Sequence, residues 1–189
     1  MQVTSRRVIG TEPLLHDVKM EGVKGRAETP RELVDLYSDD VWRFASSQVP
    51  RREDAEDIVM DVFAAAFASF PKLHRADDQR LFLLGIARKK VTKALKMRYR
   101  RAEQPLNDEH VALEAERSEL QEAVWSALGA VPSPQAEALV LKYVNGLSTE
   151  EVARVLRKSL PATNSLLQRA RETLRSAVGD SNPELVRSK

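Results

Sequence analysis

Asn145-Gly146-Leu147-Ser148-Thr149-Glu150-Glu151-Val152-Ala153 is the stretch on which the fold turns. Asn145-Gly146 reads as a helix stop, because glycine takes the left-handed conformation that closes a helix without steric cost. Ser148 and Glu151 have the spacing of a capping box, and Leu147 and Val152 are placed to staple it from either side. The helix that starts there is short, running out near Arg157-Lys158. Ser159 then caps a last helix with Thr163, Leu167, Ala170 and Leu174 on its inward face. Two helices joined by so brief a turn have the geometry of a helix-turn-helix.

Working outward from this pair, Pro132-Ser133-Pro134 predicts a break and a fresh N-cap for the helix that ends at Asn145, and Leu120, Val124, Leu128 and Val131 carry helical spacing before it. Towards the N-terminus, Leu83, Ile86, Ala87, Val91, Ala94 and Leu95 form the expected buried face of a helix that follows the polar stretch Lys72 to Gln79 and reaches about Arg100. Ala55, Ile58, Val59, Val62, Phe63, Ala66, Phe67 and Phe70 predict an earlier helix from about Arg52, with Pro71 stopping it. Thr29-Pro30 is an N-cap followed by proline at the first helical position, and Leu33, Leu36, Tyr37, Val41, Phe44 and Ala45 give that first helix its inward face. The fold class is all-α: two small helical domains, residues 30–101 and 120–178, joined by a flexible acidic linker over 102–119, the second carrying the helix-turn-helix. Residues 1–29 read as a mobile extension and 179–189 as a tail.

Composition narrows the function classes. The 189 residues include only 7 glycines, too few for the many tight turns of a sandwich or barrel. With no cysteine, disulfide scaffolds and Cys-ligated zinc or iron-sulfur sites are excluded. The longest apolar runs, Val62 to Ala68 and Leu81 to Ala87, fall far short of the roughly 20 residues of a spanning helix, so a soluble, cytoplasmic protein without membrane insertion is expected. His16, His74 and His110 sit in three separate segments and no phosphate-binding loop is present, so no catalytic residue, metal or cofactor is expected.

The net charge of +2 conceals how the charges are sorted. Glu53, Asp54, Glu56, Asp57 and Asp61 cluster without a base between them, and Asp54, Asp57 and Asp61 share a helix stripe. Acids in a first turn offset the helix dipole, but Asp61 lies too far along for that, so a protein-docking role stands beside a solubility role. Residues 88–101 hold Arg88, Lys89, Lys90, Lys93, Lys96, Arg98, Arg100 and Arg101 with no acid. Lys89, Lys93, Lys96 and Arg100 align on one face, opposite the buried one; such a stripe tracks phosphates, the alternative being an ordinary solvated face at the cost of self-repulsion. The last helix offers a polar face of Asn164, Ser165, Gln168, Arg171 and Arg175, where Asn and Gln suit adenine edges in a major groove. Helical hairpins also occur as plain packing units.

In order along the chain, Asp54-Ala55-Glu56-Asp57-Ile58-Val59 with Asp61-Val62-Phe63, Ile86-Ala87-Arg88, Leu139-Val140-Leu141-Lys142-Tyr143, Gly146-Leu147-Ser148-Thr149-Glu150-Glu151-Val152-Ala153 and Arg169-Ala170-Arg171 with Leu174 resemble a sigma-70 family initiation factor of the extracytoplasmic-function (ECF) type, built from regions 2 and 4. The resemblance covers about residues 30–178. It implies a sigma factor that binds core RNA polymerase through the β′ clamp helices and the β subunit, directs it to promoter DNA and assists promoter opening, with an anti-sigma factor as a further candidate partner. On this resemblance Asp54, Glu56, Asp57, Met60 and Asp61 face the polymerase. Leu73, His74, Arg75, Arg80, Phe82, Arg88, Lys89, Lys93, Lys96 and Arg100 face the −10 element, residues 72–80 forming the loop that captures a flipped base. Ser159, Pro161, Asn164, Ser165, Gln168, Arg169, Arg171 and Arg175 face the −35 element, and the acidic linker runs through the polymerase channel. The chain departs from the family at Phe82, commonly tryptophan, at Lys89, commonly asparagine, at Met60, commonly glutamine, and at Arg157, commonly glycine. In its recognition helix Asn164 and Leu166 replace two cations, which predicts weak duplex binding. The alternative function is a helix-turn-helix regulator that binds duplex DNA without docking on core polymerase.

Overall fold

A computed structural model describes residues 25–102 and 126–181, and every regular element among them is helical. The larger part of the expected linker, residues 1–24 and the tail beyond 181 lie outside the described residues. So do Leu120 and Val124, and the side chains of residues 99–102 and 178–181, Arg100 among them.

Helix α1, Pro30–Ser46, begins as its sequence predicts: the Thr29 hydroxyl accepts from the Glu32 N–H and Pro30 opens the first turn. Helix α2, Arg52–Ala68, ends earlier than expected. Ser69 leaves helical backbone geometry (φ −117°, ψ 23°) and its hydroxyl donates to the Ala65 carbonyl at 2.7 Å, satisfying a terminal acceptor. Pro71 is therefore no terminator; it sits in the first turn of a short helix, α3, Phe70–His74, inside what the sequence suggests is a polar loop. Helix α4, Gln79–Ala102, starts where the Asp78 carboxylate accepts from the Leu81 N–H at 3.0 Å. Helices α1, α2 and α4 pack around Leu33, Val41, Phe44, Val62, Leu83 and Leu84, all fully buried.

Residues 25–29 are held in place, contrary to their expected membership of a mobile extension. The Gln79 amide forms two hydrogen bonds with the main chain of Ala27, donating to its carbonyl at 2.9 Å and accepting from its N–H at 2.8 Å. The Tyr37 hydroxyl donates to the Gly25 carbonyl at 3.3 Å, and Ala27 is fully buried.

In the C-terminal part, helix α5, Ser133–Leu139, runs directly into a π-turn, Val140–Val144, closed by the Asn145 N–H on the Val140 carbonyl at 3.0 Å. The N-cap of α5 is Pro132 and no side chain caps it, so Ser133 does not serve the capping role expected of it. Gly146 takes φ 68°, the left-handed stop its identity predicts. Helix α6, Thr149–Leu156, carries both hydrogen bonds of the capping box, Glu151 N–H to the Ser148 hydroxyl at 3.1 Å and Ser148 N–H to the Glu151 carboxylate at 2.7 Å. Leu147 and Val152 are buried beside it. Arg157 then adopts φ 55°, ψ 45°, a left-handed residue that turns the chain into helix α7, Leu160–Ser181.

The two sets of helices share one core. Val140, Leu141, Leu147, Val152, Val155 and Leu156 belong to the same buried cluster as the α1–α2–α4 residues, α6 packing on α4 and the π-turn on α1. A smaller cluster of Val131, Leu139 and Ala170 joins α5 to α7. Because the helix-turn-helix depends on a start fixed by two reciprocal bonds, Ser148→Ala should lower the unfolding free energy by about 1 kcal/mol, read as a lower urea midpoint at unchanged m-value. An unchanged midpoint would show that packing alone holds α6.

Candidate nucleic-acid interface

Lys89, Lys93 and Lys96 are exposed along α4, as the stripe predicts, and with Arg88, Thr92 and Met97 they line an open groove of about 640 Å³. Lys90 is turned the other way, its ammonium 2.9 Å from the Asp61 carboxylate on α2. Lys89 also lines the neighbouring cleft that holds Asp77 and Asp78, while Lys93 and Lys96 line only the groove. A lysine file with an exposed methionine at its end suits a phosphate backbone whose bases are unstacked, since the charges bind sequence-independently and the apolar group offers a face to a base.

Two cations assigned to this interface are engaged elsewhere. Arg80 grips the Asp40 carboxylate with two parallel bonds, Nε to Oδ2 and Nη2 to Oδ1, both 2.9 Å. Arg43 adds a third at 2.8 Å to the same acid, which is 1% exposed. Arg80 Nη2 also donates to the Asn145 carbonyl, while the Asn145 side-chain amide donates to the Asp40 carbonyl at 2.8 Å. Arg88 pairs with Glu137 of α5 at 2.7 Å. Burial raises the Glu137 pKa, opposed by the hydrogen bond and charge of Arg88 and by the charge of Lys158. Arg80 and Arg88 therefore do not present free guanidinium groups to a ligand in this arrangement, because buried carboxylates claim them first.

Around residues 72–80 the assignments divide. Leu73 is fully buried and forms part of the core, so direct DNA contact from it is overturned. His74 stacks on Phe70 with ring centroids 6.1 Å apart, and its Nε2 lies 3.6 Å from the Glu28 carboxylate. Arg75 is exposed. Phe82 is half-buried and lines, with Asp77, Asp78, Gly85 and Arg157, a cleft of about 390 Å³ between α4 and α6.

On α2, Asp57 and Asp61 are exposed and Asp54 is half-buried. Glu56 pairs with Arg52 at 2.8 Å, and the Arg52 guanidinium lies 5.6 Å from the centre of the Trp42 ring. Met60 is 73% exposed among these acids. Phe67, expected inside, is 39% exposed, its ring 6.1 Å from that of Phe63. The exposed acids thus surround one bare methionine on this face of α2.

Ser159, just before α7, and Pro161, Asn164, Ser165, Gln168, Arg169, Arg171 and Arg175 on it are all exposed, while Thr163 and Leu167 point inward. Gln168 donates to Glu172 at 3.1 Å, Arg169 Nε to the Ser165 carbonyl at 3.3 Å, and Arg171 to the Tyr143 hydroxyl at 3.5 Å. Leu166 is only 8% exposed, so its position is turned into the core and only position 164 remains of the two expected losses of a DNA-facing cation. Among the described residues, no group of three or more metal-ligating side chains converges, and no helix is long and apolar enough to cross a membrane.

Residues 33–101 match the family description "Sigma-70 region 2" and residues 121–174 match "Sigma-70, region 4", together covering well over half of the chain. The ECF RNA polymerase sigma factor BldN of Streptomyces coelicolor is 30% identical over 165 residues, 82% of this chain and 62% of that protein. The ECF RNA polymerase sigma factor SigM of Bacillus subtilis is 25% identical over 155 residues, 77% of this chain and 92% of that one. Among solved structures, CnrH in complex with the cytosolic domain of CnrY has a TM-score of 0.61 at 25% identity, over 82% of this chain and 92% of that one. The sigma factor RpoE of Bartonella quintana, in complex with the anti-sigma factor NepR, shares the fold at a TM-score of 0.65 and 24% identity, over 78% of this chain and 95% of that one. The chain spans about three fifths of the length of the Streptomyces relative. With two family regions in their proper order on an all-α fold, the chain belongs to the sigma-70 family, and the relatives it resembles are ECF sigma factors.

The buried Asp40 carboxylate is the shared partner of two guanidinium groups. Asp40→Ala would strand two guanidinium groups and should cost about 3 to 5 kcal/mol, whereas Arg52→Ala, which breaks only the exposed pair with Glu56, should cost under about 1 kcal/mol. Chemical denaturation of the two variants compares them directly; equal effects would remove Asp40 from its central place.

Proposed function

We propose that the chain is a dissociable specificity subunit of RNA polymerase: it binds core enzyme, brings it to a subset of promoters and helps open the −10 region. The observation that carries this reading is the pair of oppositely charged faces on adjoining helices, acids with Met60 on α2 and lysines on α4. Asp54, Glu56, Asp57, Met60 and Asp61 form the polymerase-docking face, complementary to a basic partner surface such as the β′ clamp helices. Lys89, Lys93 and Lys96 neutralise phosphates of the melted strand. Arg75 and Phe82 flank the loop where an unstacked base is held, and a flipped base needs such an aromatic or apolar face to replace its lost stacking. Asn164 and Gln168 read duplex edges at the −35 element, with Arg169, Arg171 and Arg175 on phosphates. Bond formation is left to the polymerase.

Residues 30–101 act in this reading as the melting and docking unit and 120–178 as the duplex-reading unit, in the cytoplasm where polymerase and DNA are found. The complex of RpoE with the anti-sigma factor NepR supports an anti-sigma factor as a further partner.

Three measurements test this. Reversing Asp57 and Asp61 to Lys should weaken association with core polymerase by about tenfold or more at unchanged helix content; unaltered affinity would remove the docking face, and no binding by the native chain would favour a regulator acting on DNA alone. Replacing Lys89, Lys93 and Lys96 with Gln should reduce promoter opening and lower the salt slope of single-strand binding by about 2 units, at roughly 0.7 per phosphate contact. A native slope in that variant would leave the stripe an ordinary solvated face. Asn164→Lys should raise the salt slope of duplex binding by about one contact, and binding indifferent to it would place that position away from DNA.

A further inference from the structure

We infer that residues 25–29 form a strap that shapes the base-capturing loop, with Arg26, Glu28 and Gln79 as positioning residues for promoter opening. This rests on the functional reading above and names what holds its loop in place. The strap itself lies outside residues 33–101, the stretch that matches region 2.

Both ends of the strap are clamped to α1. The Tyr37 hydroxyl donates to the Gly25 carbonyl at 3.3 Å, and the Glu28 N–H donates to the Glu32 carboxylate at 2.8 Å. Burial, with the charges of Asp78 and Asp40, raises the Tyr37 pKa against the opposing charges of Arg80 and Arg26, so the hydroxyl keeps its proton and stays a donor. Between these clamps, three consecutive residues reach the loop. Arg26 Nη1 donates to the Ala76 carbonyl at 3.2 Å. Ala27 is joined to Gln79 by the two hydrogen bonds of the Gln79 amide, and both residues are buried. The Glu28 carboxylate lies 3.6 Å from His74 Nε2. His74, Ala76 and Gln79 are thus held from the strap side, while Arg75 and Asp77 between them are exposed.

One exposed hydrogen bond adds little, and a partly exposed His–Glu pair adds little more. The pair between Gln79 and Ala27 differs, because it is buried and breaking it leaves the Ala27 N–H and carbonyl without partners. It fixes the strap, and the side chains on either side of Ala27 then meet the loop with less chain freedom left to lose. A loop ordered before DNA arrives gives up less freedom when a base is captured, so more of the intrinsic affinity is retained. If loosening left the competent loop conformation in about one molecule in ten, capture would weaken about tenfold. The phosphate contacts of Lys89, Lys93 and Lys96 fall outside this linkage, since α4 carries those residues beyond the loop.

Two full-length variants test this: Arg26→Ala combined with Glu28→Ala, both at exposed positions, and Gln79→Ala, which cuts the buried anchor. In amide hydrogen exchange of the free chains, peptides covering residues 70–80 should exchange about fivefold faster in both, with peptides of α2 and α7 at the native rate. The exposed double variant decides alone should Gln79→Ala lose helix by circular dichroism. Each chain is then assembled with core polymerase and given a single DNA strand, selected from a random-sequence pool by the native holoenzyme, in which one base at a time is replaced by an abasic site. At the captured position the abasic site should weaken native binding about tenfold and binding of the variants less than about threefold, while affinity for the abasic strand itself stays native. A variant that had merely lost stability would weaken on both strands alike. Native loop exchange in the exposed double variant, or fast exchange with an undiminished abasic penalty, would overturn the inference. An abasic penalty missing at every position of the native complex would remove the base-capture reading instead. The exchange comparison, made without polymerase or DNA, tells these two failures apart.

Discussion

Asp40 is the residue on which the architecture converges. Its carboxylate is withdrawn from water on α1, a placement that costs several kcal/mol unless opposite charge and hydrogen bonds compensate it. Compensation comes from the next turn of its own helix, Arg43, and from the start of α4, Arg80. The same aspartate's main-chain carbonyl accepts from Asn145 on the other half of the molecule. A single buried aspartate thereby ties α1 to α4 and to the residue that closes the π-turn. The apolar core supplies most of the free energy, but apolar contacts are tolerant of sliding, whereas a bidentate guanidinium pair is not.

Around this centre the surface is partitioned by sign. α2 and α4 are neighbours, yet their exposed faces carry opposite charge, and among the described residues the cross-pair between Lys90 and Asp61 marks the seam. Neutralisation across the whole seam would leave neither face with a usable field. Confining it to one lysine leaves Lys89, Lys93 and Lys96 facing a groove and Asp57 with Met60 facing outward. A near-zero net charge is therefore compatible with two strongly charged surfaces, each acting within roughly a Debye length.

Local chemistry was readable from the sequence, and long-range pairing was not. Thr29-Pro30, Asn145-Gly146 and the Ser148–Glu151 box each involve residues within one turn, so their spacing alone announces the helix boundary. Exposure of the α4 lysines followed from their periodicity. Asp40, by contrast, looks like one more polar residue beside Asp39, since its partners Arg80 and Asn145 lie 40 and 105 positions away. For the same reason Arg80 and Arg88 resembled free cations, and Ala27 an unstructured residue, until Gln79 was brought beside it. Leu73 is buried rather than exposed because α2 stops at Ala68 and α3 takes a new direction, which shifts the inward face for residues beyond Ser69.

The π-turn at Val140–Val144 sets the rotational phase of everything that follows it. An α-helix advances about 100° per residue, and a wider turn accommodates an extra residue without advancing the rest of the helix by that angle. Leu141 consequently points into the core while Tyr143 and Val144 are left outside, and Asn145 arrives facing Asp40. Shortening this segment by one residue would leave every side chain chemically intact and aim Asn145 elsewhere. The junction between the two halves of the molecule is in this sense encoded by a count of residues as much as by their kind.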